Sequence, residues 1–128
     1  LERTSGAWPR PLQTLDHTLP GDLPEVVVGA IRVGFRRLSA AAQLVLAAVA
    51  VVGERVATAV LARATGLAAP ELAAALDELE WERWLAAEPR GYAFGARIVR
   101  EVVSRDLVTA GQRQRLREAA ATERLTQS

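Results

Sequence analysis

One stretch of the sequence, from Val56 to Phe94, constrains the fold more than any other. Its apolar residues recur at helical spacing up to Gly66, which suits the left-handed position after a helix end. Pro70 then suits the start of a second helix, and the tetrapeptide Glu88-Pro89-Arg90-Gly91 is typical of a β-turn between two short strands. Helix, tight turn, helix and hairpin in this order are typical of a winged helix-turn-helix. We therefore predict a mainly α fold with a two-stranded β-hairpin wing and flanking helices.

The same pattern predicts which side chains each element buries. The first helix of the motif is expected to carry one apolar stripe, formed by Val56, Val60, Leu61 and Ala64. The second is expected to bury Leu72, Leu76 and Leu79, with Trp81 and Trp84 closing it. In the hairpin, Leu85 and Ala87 are expected to alternate against Tyr92 and Phe94.

The chain divides into three parts by composition. Residues 1–22 are rich in proline and glycine and are predicted to be a linker or extended strap, with Trp8 among the residues that dock onto the domain. Residues 23–108 form the predicted winged-helix domain, in which a helix from Ser39 to Gly53, apolar almost all round, is the central buried one. The helix after the wing is expected to bury Ile98, Val99, Val102, Val103 and Leu107. Residues 109–128, opened by a capping box of Thr109 and Gln112, form a C-terminal helix leading towards a following region. We expect the chain to be a domain of a larger protein.

The residue inventory argues against catalysis by this chain. It has 128 residues, a formal net charge of +1, no cysteine and one histidine, His17, which lies in the leader. A phosphate-binding P-loop needs a lysine, and all basic residues here are arginines. We predict a non-catalytic module that holds no metal and no cofactor of its own. The longest apolar run, Ala40 to Val52, is too short to span a bilayer, so we expect a cytoplasmic protein without a membrane partner.

Charge on the second helix of the motif bears on its function. From Pro70 to Glu82 it carries five acidic and no basic residues, whereas a groove-reading helix needs arginine or lysine against phosphates. We therefore predict an interaction face for protein packing at Glu71, Asp77 and Glu78. A second candidate face is the most basic part of the last helix, at Arg113, Arg115 and Arg117.

Two alternatives remain open at this stage. The first is a sequence-specific DNA-binding winged helix of a transcription factor, which would use Arg83, Arg90 and Arg37. Pairing of these arginines with the acidic helix would favour it, and an acidic patch at Glu71 and Glu78 would favour packing. The second is a dimerisation domain that uses Trp8, Trp81 and Trp84.

Several phrases taken together resemble one protein family. They are Leu23-Pro24, Arg37-Leu38-Ser39-Ala40-Ala41-Ala42, Val49-Ala50-Val51-Val52-Gly53, Leu61-Ala62-Arg63-Ala64-Thr65-Gly66-Leu67, Glu71-Leu72-Ala73-Ala74-Ala75-Leu76, Tyr92-Ala93-Phe94 and Ile98-Val99-Arg100-Glu101-Val102-Val103. In this order and spacing the set is similar to the winged-helix segment of STAND-class signalling ATPases. Within that class it resembles large bacterial transcription regulators of the LuxR-family and antibiotic-regulator types.

The resemblance implies a regulatory arm that couples nucleotide state to downstream domains. Its partners would be an ATPase core, which binds ATP or ADP, and C-terminal helical repeats of the same parent chain. In such proteins a histidine after the wing often senses the nucleotide, and here Ala96 stands at that position. Arg97, the next residue, is the candidate to replace it as a cation. The family also tends to place DNA contact on a separate domain, in keeping with an acidic second helix.

Overall fold

The computed structural model of the chain describes residues 25–127, and it describes side chains for residues 25–121. In chain order the elements are α1 (Glu25–Arg36), α2 (Ala40–Val52), α3 (Thr58–Thr65), α4 (Ala69–Trp81), β1 (Leu85–Glu88), β2 (Gly91–Phe94), α5 (Arg97–Asp106) and α6 (Ala110–Gln127). The described part of the chain is therefore mainly helical with a small two-stranded antiparallel sheet, as predicted. The predicted strap at residues 1–22, with Trp8 and His17, lies outside the described residues.

Helix α2 is the centre of the core, because it has almost no polar side chain to turn towards water. Its residues from Val45 to Val51 are all buried, and α3, α4, α5 and α6 pack around it. Ser39 caps its N-terminus as predicted, since Ser39 Oγ accepts a hydrogen bond of 3.1 Å from the Ala42 N–H. The helix ends at Gly53, also as predicted.

Helices α3 and α4 meet through the tight turn that the sequence predicts. Gly66 has φ +73° and its N–H donates to the Ala62 carbonyl at 2.9 Å, which ends α3 in the left-handed conformation open to glycine. The Thr65 hydroxyl donates to the Leu61 carbonyl at 2.8 Å and accepts from the Leu67 N–H at 3.3 Å. The two helix axes are bent by 112° at this turn. The turn therefore presents α4 at a steep angle to α3.

The hairpin has the predicted register, with Leu85 opposite Phe94 and Ala87 opposite Tyr92. Val56, however, is not in the first helix of the motif, and the prediction that placed it there is wrong. It forms a β-bridge with Tyr92 on the other edge of β2, through two backbone hydrogen bonds of 2.9 Å. Val56 is buried at this bridge and α3 begins only at Thr58, so the apolar spacing that suggested a helix reflects burial beside the sheet.

Helices α5 and α6 complete the core. Ile98, Val99, Val102 and Val103 are buried on α5, whereas Leu107 follows the last helical residue, Asp106, and is only partly buried. The expectation that Leu107 lies within that helix is therefore wrong by one residue. The Thr109 Oγ1 accepts a hydrogen bond of 3.1 Å from the Gln112 N–H at the start of α6. Leu116 and Ala120 bury α6 against α2 and α3, which ties the first turns of α6 to the same core.

Candidate interaction site on helix α4

Helix α4 has one buried face and one face open to solvent. Leu72, Ala75, Leu76 and Leu79 are buried at helical spacing, and the remaining positions from Ala69 to Trp81 are exposed or, for Glu78, partly buried. Four of the five predicted acidic residues lie within the helix, because Glu82 follows its last residue. Some of the acidic side chains on α4 accept hydrogen bonds at helix starts, and others line an open cavity. The spacing of residues along the helix does not distinguish the two groups.

Two of these carboxylates cap helices. Glu71 Oε1 accepts a hydrogen bond of 3.2 Å from the Ala68 N–H at the start of α4, a position where Ala68 offers no side-chain oxygen of its own. Glu78 reaches the start of α2, where its two oxygens accept from the Ser39 N–H at 2.9 Å and from the Ser39 hydroxyl at 2.7 Å. These hydrogen bonds join Glu71 to Ala68 and Glu78 to Ser39, and none of them involves Arg83, Arg90 or Arg37. The predicted interaction role of Glu71 and Glu78 stays a prediction, but both have a structural role.

Asp77, Glu80 and Trp81 form the outward part of α4, which we call the Trp81 face. Trp81 is 73% exposed, and with Asp77, Glu80 and Arg83 it lines an open cavity of about 510 Å³. Glu80 and Trp81 follow Asp77 by three and four positions, so both lie on the same side of the helix as Asp77. Sequence reasoning named Asp77 and Trp81 separately, and this spacing is the signal that joins them with Glu80.

The field of these carboxylates extends to the sheet. Partial burial, followed by the negative charges of Glu80 and Asp77, raises the pKa of the Tyr92 phenol above its ordinary value. Because Tyr92 is on β2, the charges of Glu80 and Asp77 act on a side chain of the sheet. Tyr92 is a residue of the site that sequence reasoning assigned only to the hairpin.

An apolar groove of about 370 Å³ lies beside the Trp81 face, between α3 and α4. Its walls are made mostly of small side chains: Thr58, Ala59, Ala62, Ala69, Leu72, Ala73, Leu76, Asp77 and Tyr92. Asp77 also lines the cavity at Trp81, so the groove and the Trp81 face are continuous. The arrangement offers an apolar surface with carboxylates at its border.

The three arginines proposed for DNA contact lie on three different connections. Arg83 follows α4 with φ +68°, and its N–H donates to the Glu80 carbonyl at 3.1 Å while the Trp84 N–H donates to the Leu79 carbonyl at 2.8 Å. This is a Schellman ending in which an arginine takes the position that glycine usually occupies. Arg90 is exposed in the two-residue hairpin loop, and Arg37 is exposed between α1 and α2. Their proposed DNA role therefore stays a prediction.

The predicted nucleotide-sensing position is at the start of α5. Ala96 is the N-cap residue and makes no side-chain capping bond, and Arg97 is the exposed first residue of the helix. Arg97 lines an open cavity of about 370 Å³ together with Glu54, Arg55, Glu88, Ala93, Phe94 and Arg100. Arg55 and Glu88 form an ion pair of 3.7 Å there. The sequence did not indicate that Arg55 and Arg100 line this cavity, because their positions there depend on the packing of the hairpin against α5.

The basic cluster predicted on α6 is divided by its contacts. Arg113 is partly buried and donates to both the hydroxyl and the carbonyl oxygen of Ser104, the hydroxyl at 3.1 Å. It therefore joins α6 to α5, whereas Arg115 and Arg117 are exposed. Among the three predicted arginines, Arg115 and Arg117 are therefore accessible to a partner.

Three further observations bear on function. Among the described residues, no group of three or more histidine, aspartate or glutamate side chains is placed to hold a metal ion. Over the same part of the chain, no single helix is long and apolar enough to cross a membrane, and α3 with α4 meets that length only as a sharply bent pair. Compared with known proteins, the chain matches no protein-family model, no curated protein and no solved structure.

Proposed function

We propose that this chain is a non-catalytic regulatory winged-helix module of a STAND-like ATPase transcriptional regulator. It would transmit the nucleotide state of an ATPase core to downstream helical repeats by packing against them, and it would act in the cytoplasm. The order helix, β-bridge, helix, turn, helix and hairpin supports the winged-helix assignment. The ATP or ADP would belong to the parent protein.

The observation that carries the proposal is the chemistry of the outward face of α4. In a DNA-reading winged helix this face would meet phosphates, yet it offers Asp77 and Glu80 beside an exposed Trp81. Carboxylates there repel a polyanion, whereas an exposed tryptophan beside an apolar groove suits a protein partner. The surface therefore favours protein packing over groove reading.

A direct test is binding of the chain to mixed-sequence duplex DNA, followed by fluorescence anisotropy across a salt series. We expect no binding even at low salt. Binding with a steep salt slope would instead support the DNA-reading alternative. In that case Arg90→Gln and Arg37→Gln should each reduce the slope by about one, as expected for loss of one phosphate contact.

The nucleotide-coupling part of the proposal is tested in the parent protein. If Arg97 replaces the sensing histidine, Arg97→Ala should speed the loss of bound ADP, measured by chromatography of the nucleotide that remains after gel filtration. Arg105→Ala is the matched control, because Arg105 lies in the last turn of the same helix. Equal ADP retention in the wild type and both variants would remove Arg97 from the mechanism.

A further inference from the structure

Helix α1 presents an apolar stripe to solvent. Val26, Ala30 and Val33 recur at the spacing i, i+4 and i+7, and all three are exposed, with Val26 at 78% and Val33 at 48%. The adjacent side of the helix, with Val27 and Ile31, is buried in the core. Helix α1 therefore has two apolar sides, and the described part of the chain covers one of them.

The exposed stripe of α1 ends in positive charge. Arg36 occupies the last turn of the helix and Arg37 follows it, and both side chains are exposed. We call Val26, Ala30, Val33, Arg36 and Arg37 the α1 stripe. It combines an apolar surface with two guanidinium groups at one end.

The Trp81 face and its groove have the complementary chemistry. Over the described residues, the exposed large apolar side chains are Val26, Val33 and Trp81, two on the α1 stripe and one on the Trp81 face. The groove beside Trp81 is lined by small apolar side chains such as Ala59, Ala62 and Ala73. Asp77 and Glu80, partly offset by Arg83 in the same cavity, give its border a net negative charge, opposite to that of the α1 stripe. The two surfaces therefore both offer apolar area, and the charges beside that area are opposite.

Contacts within the fold bring these two surfaces to the same corner of the molecule. Ser39, two residues after Arg37, hydrogen bonds to Glu78 of α4 at 2.7 and 2.9 Å. Phe35, near the end of α1, meets Trp84 edge-on with ring centroids 6.4 Å apart. The residues at and just after the basic end of α1 therefore contact Glu78 of α4 and Trp84, which follows α4. A two-fold axis near this corner would place each surface of one copy against the other surface of its partner.

We propose that the groove and the Trp81 face receive the α1 stripe of a second copy of this chain. The valines of α1 would cover Trp81 and the groove, while Arg36 and Arg37 face Asp77 and Glu80. A guanidinium group also stacks favourably on an exposed indole ring. This self-association goes beyond the proposed regulatory role and does not depend on it. DNA binding and ADP retention measure other properties, so each proposal can fail alone.

Helix α6, the other arginine-rich element, is a weaker candidate for the occupant. Its apolar residues Leu116 and Ala120 are already buried against the core. Its exposed arginines, Arg115 and Arg117, therefore have no exposed apolar stripe beside them on the described turns. This difference selects α1 over α6, and it also supplies a control.

The test is sedimentation equilibrium of the chain from micromolar to millimolar protein at low and high salt. We expect a monomer–dimer equilibrium that weakens as salt screens the charged border. The double variants Asp77→Arg/Glu80→Arg and Arg36→Glu/Arg37→Glu should each weaken self-association at least ~10-fold, because like charges then face each other. Mixed in equal amounts, they should form a heterodimer at least as tight as the wild-type dimer, since both contacts regain opposite charges. Restored binding also shows that both variants are folded.

Matched controls carry the same changes of charge elsewhere. Arg115→Glu/Arg117→Glu on α6 is the control for Arg36→Glu/Arg37→Glu, because it also reverses two positive charges at exposed positions. Glu54→Arg/Glu101→Arg is the control for Asp77→Arg/Glu80→Arg, because it also reverses two negative charges at exposed positions. Both should keep the dissociation constant within ~2-fold of the wild type, because they change net charge without touching the interface. Three results would overturn the proposal: a monomer at every concentration, controls that weaken association as much as the interface variants, or a mixture of the two reversed variants that stays monomeric.

Discussion

Replacing Glu78 by alanine should destabilise the protein although the residue is acidic and lies on the outer half of a surface helix. Its carboxylate accepts two hydrogen bonds from Ser39, at 2.9 Å from the N–H and 2.7 Å from the hydroxyl. Ser39 is itself the N-cap of the buried helix α2 and accepts from the Ala42 N–H. The carboxylate thus also places a negative charge at the N-terminus of α2, where the helix dipole stabilises it.

The magnitude follows from these contacts. A hydrogen bond to a charged group contributes about 1.5–3 kcal/mol when it is buried, and Ser39 is exposed, so about 1 kcal/mol for each bond is a reasonable value. Glu78→Ala should therefore lower the free energy of unfolding by about 2 kcal/mol, which corresponds to a fall in Tm of about 8 °C for a domain of this size. Glu78→Gln should lose about half as much, because its amide oxygen can still accept one bond.

The assay is thermal and urea denaturation followed by circular dichroism, with Glu80→Ala as the matched control. Glu80 is two residues away on the same helix and is exposed, so its removal should change stability by less than about 0.5 kcal/mol. A double-mutant cycle with Ser39→Ala should give a coupling energy of about 1 kcal/mol, because the hydroxyl bond is shared. Equal stability of the Glu78→Ala and Glu80→Ala proteins would show that the bonds to Ser39 contribute nothing, and the argument from geometry would fail.

Three further predictions concern the motif and the sheet. Gly91→Ala should destabilise by at least about 3 kcal/mol in a urea titration, because a Cβ at φ +151° would lie 2.3 Å from the Val56 carbonyl oxygen. Gly66→Ala should cost only about 1 kcal/mol in the same assay, since its φ is +73° but no atom lies within 4 Å of the added Cβ; equal losses for the two variants would contradict this reasoning. The chain has a single tyrosine, so absorbance at an ultraviolet wavelength specific to phenolate should report a Tyr92 pKa above the ordinary value, and Asp77→Asn should move it back towards that value. Because the folded state holds this proton more tightly than the unfolded state, the contribution of Tyr92 to stability is present below about pH 10 and is lost as pH rises through the folded pKa; a Tyr92→Phe protein should lack that loss.

Local sequence signals predicted the elements whose geometry is itself local. The register of Leu85 against Phe94 followed from the position of Pro89 and Gly91 in the turn, because a two-residue loop leaves one way to pair the strands. Gly66 was predicted in the left-handed region because few other residues adopt it at the end of a helix. Both predictions need information from only a few neighbouring residues.

The elements that the sequence did not predict depend on distant partners. Val56 was assigned to a helix, since its spacing from Val60 suits one, but its backbone pairs with Tyr92 of the hairpin. The bond between Ser39 and Glu78 joins residues 39 positions apart, and nothing near either residue indicates the other. Contacts of this kind are fixed by the packing of α4 on α2, so a single sequence does not reveal them.

The carboxylates of α4 have different roles in the structure, depending on what each one contacts. Counted along the sequence, they form one negative surface that opposes DNA. In the structure, Glu71 and Glu78 are held by backbone groups at helix starts, and Asp77 and Glu80 remain outward beside Trp81. Asp77 and Glu80 are the carboxylates of the Trp81 cavity that would repel phosphate groups, and Arg83 lines the same cavity. This division of the carboxylates also shows which residues can be changed to test a partner: variants at Asp77 and Glu80 leave the helix caps intact, whereas a variant at Glu78 alters binding and folding together.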